Sequence, residues 1–174
     1  MNARNDSELN ATRNPTTVEP KSEREVVVRR TFNAPARIVF QAWTTPALFK
    51  QWWIPKSAPC SLLSYDADIR TGGGYRLVFS VDGTKTMAFF GKYIEVTPHS
   101  RIVWTNDESG EDGAVTTVTL EEKGDKTLLV LHELYRTKEA RDAGLASGAY
   151  DGMEETFGQL DEVLVTLGAK GGAS

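Results

Sequence analysis

The sequence predicts an α+β fold in which a curved antiparallel sheet grips one long C-terminal helix. Three observations predict it. Met153, Phe157, Leu160, Leu164 and Leu167 fall at i, i+4, i+7, i+11 and i+14, one apolar stripe on a helix. Such a helix is not stable alone, and its stripe needs a partner surface. The chain ahead of it carries short β-branched and aromatic runs separated by Gly, Pro, Asn and Asp, the pattern of antiparallel strands.

The elements follow in order. Residues 1–22 are polar and hold Pro15 and Pro20, which predicts an arm without structure of its own. The domain then runs over 23–169, and 170–174 form a frayed tail after Gly168, a natural left-handed helix stop. Glu23 to Phe32 is the first strand, with Val26, Val28, Arg30 and Phe32 on one face. If that face is inward, Arg30 needs a carboxylate partner. Pro35 opens a short helix through Trp43, with Val39, Ala42 and Trp43 on one side. Thr45-Pro46 opens a second, carrying Leu48, Phe49, Trp52 and Trp53.

Six further strands bring the sheet to seven. They cover 61–70, 74–81, 86–96, 101–105, 114–122 and 126–135, joined by short turns such as Thr71-Gly72-Gly73-Gly74 and Asp82-Gly83. The segment 137–148 separates sheet from final helix and reads as a mobile lip, with room for a turn of helix. In the final helix, Asp151, Glu154, Glu155, Gln159, Asp161 and Glu162 are expected to face water.

Composition bounds the function. The 174 residues suffice for one domain with a real core. A net charge of −4 without a basic patch argues against nucleic acid as a partner. The one cysteine, Cys60, cannot form an internal disulfide, which suits a cytoplasmic location. No apolar run approaches the ~20 residues of a membrane span.

The segments RRTFNAPARIVFQAWTTP, WW-P, DIRTGGGYR, GKYIEVTPHSRIVWT and KTLLVLHE resemble the family of activator of heat-shock protein 90 ATPase homologues. That family belongs to the START-like, helix-grip superfamily. The resemblance spans about Arg24 to Leu167 and implies a seven-stranded sheet, a long C-terminal helix and a cavity between them. It departs in the last helix. Many relatives show Gly-Trp there, and this chain has Gly152-Met153 and Phe157.

The chemistry-bearing residues are few. Asp68-x-Arg70 matches the family pattern and reads as a structural ion pair at the Gly72–Gly74 turn, with ligand orientation as the alternative. Neighbours in a strand point to opposite faces, so His132 and Glu133 cannot act as one dyad. His132 shares a face with Leu128 and Val130, and Glu133 with Leu129 and Leu131, two faces almost equally apolar. Two distant histidines and one cysteine give no metal-ligand spacing, so neither metal nor cofactor is expected. No nucleophile motif surrounds Cys60, so no catalytic residue is assigned.

Aromatics come from every layer of the chain, and a helix across a curved sheet leaves space at one end. That space is expected among Trp53, Phe79, Met87, Phe89, Trp104, His132, Met153 and Phe157, open through the 137–148 lip. The function expected is non-enzymatic binding of a small hydrophobic molecule, tied to stress or regulation. Two alternatives stand beside it. One is a co-chaperone-type interaction module, acting on a chaperone partner through the outer sheet face or the 106–113 loop. The other is a cyclase- or hydrolase-like enzyme of the same superfamily.

Overall fold

The structure, a computed structural model, describes residues 15–148 and 150–172. The strands are β1 (Thr17–Pro20), β2 (Glu25–Phe32), β3 (Cys60–Ala67), β4 (Gly74–Val81), β5 (Lys85–Thr97), β6 (Arg101–Thr105), β7 (Val115–Lys123) and β8 (Lys126–Leu134). The helices are α1 (Ala36–Thr44), α2 (Pro46–Trp52), α3 (Lys138–Ala146) and α4 (Met153–Gly172). All strands pair antiparallel in one eight-stranded sheet, ordered β1-β2-β8-β7-β6-β5-β4-β3.

The eighth strand is a correction to the sequence reading. β1 lies within the stretch assigned to the arm and pairs with β2, Val18 opposite Val28. Thr16 ties it further, its N–H donating to Glu154 at 3.0 Å and its hydroxyl accepting from Arg30 at 3.1 Å. The rest of the expected arm, residues 1–14, lies outside the described residues.

Val26, Val28, Arg30 and Phe32 do face inward, all buried. Arg30, 2 % exposed, finds its carboxylates on α4: it pairs with Asp161 and stands 3.8 Å from Glu154. Its guanidinium also lies 5.3 Å from the Phe32 ring centroid. A buried cation paired this way is costly to strip of its partners.

Helix α4 begins at Met153 and continues past Gly168 to Gly172, beyond the stop the sequence suggests. Phe157, Leu160, Val163 and Leu164 form its buried face, with Met153 and Leu167 half-buried beside them. Gln159 is buried instead of solvated. Its amide nitrogen donates to the Trp52 and Ile54 carbonyls at 3.0 and 2.8 Å, and its oxygen accepts the Lys56 N–H at 2.8 Å. Pro55 stops α2 there, and Gln159 satisfies the exposed backbone groups at that end.

The sheet bends sharply along β5. Residues 85–92 pair with β4, whereas Tyr93–Thr97 pair with β6. Gly91 stands at the corner, where a Cβ would come within 2.0 Å of the Thr105 carbonyl oxygen. Register shifts at Leu62/Ser64 in β3 and at Tyr93/Glu95 in β5 add to the bend, as bulges do.

The segment expected to be a lip is a defined helix, α3, and the Thr137 hydroxyl accepts the Ala140 N–H at 3.0 Å as its cap. At the start of α2, Pro46 sits in the first turn as expected, but the Thr45 side chain makes no capping bond.

Candidate ligand-binding site

The bent half of the sheet, β3 to β6, is not filled. A cavity of about 190 Å³ is walled by Trp43, Phe49 and Trp53 from the α1–α2 region, by Tyr65, Leu77 and Phe79 from β3 and β4, and by Phe89, Tyr93, Ile102 and Trp104 from β5 and β6. The rings hold one another. Phe49 stacks on Trp53 and Tyr65 with centroids 4.7 and 4.9 Å apart, and Trp43 meets Trp104 at 6.0 Å. Trp52, fully buried behind them, donates its indole N–H to the Ala42 carbonyl at 3.0 Å and locks α2 onto α1. Rigid rings braced this way cannot collapse into the space as aliphatic chains would.

The tyrosine hydroxyls of the wall are engaged. Tyr75 donates to the Thr105 carbonyl at 2.7 Å, and Tyr65 and Tyr93 hydrogen-bond each other. Burial pushes the pKa of all three hydroxyls upward from the ordinary tyrosine value, so they stay protonated.

Asn106 and Glu108 close one end of the cavity and also line a second hollow of about 650 Å³, bounded by α3. Asn106 is fixed: its amide nitrogen donates to the Ala114 carbonyl at 2.7 Å and to the Thr116 hydroxyl at 2.9 Å. Burial raises the Glu108 carboxyl above its ordinary value.

Inside this second hollow, Glu133 Oε2 lies 3.0 Å from the Tyr135 hydroxyl and 2.8 Å from that of Tyr150, and the two hydroxyls are 2.7 Å apart. Three oxygens in mutual contact need three protons, and two phenols supply two. The Tyr135 and Tyr150 hydroxyls both stand as donors to Glu133 Oε2, and a proton on the carboxyl would supply the third edge. Burial pushes the Glu133 carboxyl upward, in agreement with that count.

Of the eight residues expected around the space, Trp53, Phe79, Phe89 and Trp104 wall the cavity. The other four do not. Met87 is on the same sheet face as Phe89 but one pleat further toward the β4–β5 turn, 50 % exposed. His132 points away from α4 and meets Glu25 at 2.7 Å, an interaction that holds the Glu25 carboxyl below its usual range. Phe157 is fully buried edge-on to Phe32, with centroids 5.5 Å apart, and Met153 packs beside the core. The space is therefore under the two short helices, not between α4 and the sheet.

Sequence reasoning missed Asn106, Glu108, Glu133 and the tyrosine pair. Glu133 continues the buried face of Thr127, Leu129 and Leu131, and the sequence carries no signal for it because the opposite face of β8 is almost as apolar. Asp68 and Arg70 do pair, at 2.8 Å, both exposed and outside the cavity lining, although Ile69 between them is part of it. Among the described residues, no group of three or more His, Cys, Asp or Glu is placed to hold a metal ion. No described helix is long and apolar enough to cross a membrane.

Solved structures share this architecture. A protein from Rhodobacter sphaeroides is 27% identical, with a TM-score of 0.80 over 88% of this chain and 99% of its own. One from Nitrosomonas europaea is 24% identical, with a TM-score of 0.76 over 86% and 99%. One from Mycobacterium smegmatis is 21% identical, with a TM-score of 0.74 over 88% and 99%. No curated protein matches the sequence. The profile of the activator of Hsp90 ATPase homolog 1-like proteins matches residues 33–165, so the chain belongs to that family and carries its START-like fold.

Proposed function

We propose that the protein binds a small, flat, apolar molecule in the cavity beneath α1 and α2, as a carrier or sensor that does no chemistry on it. The observation that carries this reading is the wall itself: stacked and edge-on rings around a space of about 190 Å³. A cavity of about 150 Å³ with apolar walls accommodates benzene, so one ring or a small fused pair fits. Trp53, Phe79, Phe89 and Trp104 are the contacts in this reading, joined by Trp43, Phe49 and Tyr65. Shape and dispersion supply the affinity, and the polar groups stand at one end. A cytoplasmic role in a stress response is consistent with the unpaired Cys60 and the family.

An environment-sensitive apolar dye tests the reading. The parent protein should bind it, and Ile69→Trp, which places a ring into the cavity from its wall, should block binding while the fold persists. A parent that binds no dye and yields no small molecule by native mass spectrometry from its own host would overturn it. The co-chaperone-type module would then be the reading to pursue.

A further inference from the structure

We propose that the ligand carries a hydrogen-bond donor, a protonated amine, on a short linker from its ring: an arylalkylamine whose ring fills the apolar cavity and whose ammonium group meets Glu108. This rests on the binding reading above and narrows it to a chemical class.

Where the two hollows meet, the protein's own hydrogen-bond donors are used up and its acceptors are not. Both amide hydrogens of Asn106 are spent, on Ala114 and on Thr116, so the group it presents is its carbonyl oxygen. The contact that oxygen has from Tyr75 is 3.5 Å long, and the Tyr75 hydrogen goes to the Thr105 carbonyl at 2.7 Å. Glu108, half-buried, offers a carboxyl that accepts from its own backbone N–H and, at a long 3.4 Å, from the Phe90 N–H. The Tyr135 and Tyr150 hydrogens are committed to their triangle with Glu133. What faces a ligand at the junction is therefore acceptors.

Charge points the same way. Glu108 and Glu139 line the outer hollow beside the protonated Glu133, and among the described residues no Lys, Arg or His lines either one. A buried carboxylate without a cation is costly, and an ammonium group offsets that cost with a charge-assisted hydrogen bond. An anionic ligand would meet only like charge. Glu108 lines both hollows, so ring and carboxylate are served by one small molecule.

The test is a matched series read by quenching of Trp43, Trp53 and Trp104: 2-phenylethylamine, 2-phenylethanol and 3-phenylpropionate, beside the apolar dye. The amine should bind at least about tenfold more tightly than the alcohol, and the acid more weakly than both. Glu108→Gln should erase the amine's advantage over the alcohol. Dye binding with amine and alcohol equal, or with the acid preferred, overturns the amine assignment and leaves the binding site standing. No binding by dye or any of the three overturns both. Should Glu108→Gln fail to fold, Glu139→Gln and the parent's ranking of the three probes decide.

Discussion

The two halves of the sheet are built from the same strand pattern and end up in opposite states. Under α4, the β2–β8–β7 half is filled: Phe32, Leu129, Leu131, Val118, Phe157 and Leu160 are all at or near full burial. Under α1 and α2, the β3–β6 half encloses an empty space among rings. The difference lies in what each half has to pack with. Branched aliphatics on a long, straight helix interdigitate. Two short helices held at Thr45-Pro46 present indoles and phenyl rings braced against one another, and the sheet bends away from them at Gly91. A filled half supplies stability, and a hollow half is where specific binding can be added at modest cost.

The largest expected effect sets the halves against each other. Phe157→Ala should cost ~3–5 kcal/mol in a urea melt, since it opens a cavity where none exists. Phe89→Ala should cost less than half as much, because its ring is half-buried against a space already present. Equal costs would mean the cavity closes in solution.

Next is the seam between the halves. Gln159→Ala leaves the Trp52 and Ile54 carbonyls and the Lys56 N–H without their partner, and should cost ~1–3 kcal/mol. Because this clamp holds the end of α2 to α4, the variant should also loosen dye binding. Lost stability with dye affinity intact would show that α2 is held by its rings alone.

The third is a pH effect. Burial raises the folded-state value of the Glu133 carboxyl above its ordinary 4.5. A raised carboxyl contributes stability that is fully present below the unfolded value and is lost as pH rises through the folded one. Glu133→Gln keeps a donor and an acceptor in the tyrosine triangle and carries no titration. Its stability should therefore decline less steeply than the parent's as pH rises above the ordinary carboxyl value. Parallel curves for the two proteins would mean that Glu133 is ionised and the triangle is short of a proton.

Much of the fold is legible in the sequence because it rests on repetition. The alternation at Val26, Val28, Arg30 and Phe32 names the inward face of β2, and the α4 stripe names Phe157, Leu160 and Leu164. The site is legible by half, for a definite reason. Aromatic residues announce that they will be inside, but not whether they will fill the inside. Trp53 and Phe89 line the cavity, whereas Phe157 is buried in the core under α4 and Met153 packs beside it. The change of partner along β5 decides that point, and beside it Gly91 stands in close approach to Thr105, a residue 14 positions later that no local pattern links to it. β8 fails for a different reason. Its faces are equally apolar, so which of His132 and Glu133 turns inward depends on pairing with β2 and β7.

The smallest expected effect is at the Gly72–Gly74 turn on the hollow side. Asp68 and Arg70 form their ion pair at 2.8 Å with side chains 58 % and 68 % exposed, where water screens the attraction. Exposed pairs contribute ~0–1 kcal/mol. The turn is held instead by its backbone: Asp68 N–H donates to the Gly74 carbonyl at 2.8 Å, Gly72 N–H to Tyr93 at 2.9 Å, and Tyr93 N–H to Gly73 at 2.8 Å. Gly73 sits where a Cβ would lie 1.9 Å from the Asp68 carbonyl oxygen, so that tight packing depends on glycine and not on charge. Asp68→Asn should therefore move the urea midpoint by no more than an ordinary surface substitution and leave dye affinity where it is. A clear loss of dye binding in Asp68→Asn would mean that the turn's charge reaches the cavity through Tyr93, whose backbone the turn holds and whose ring lines the wall.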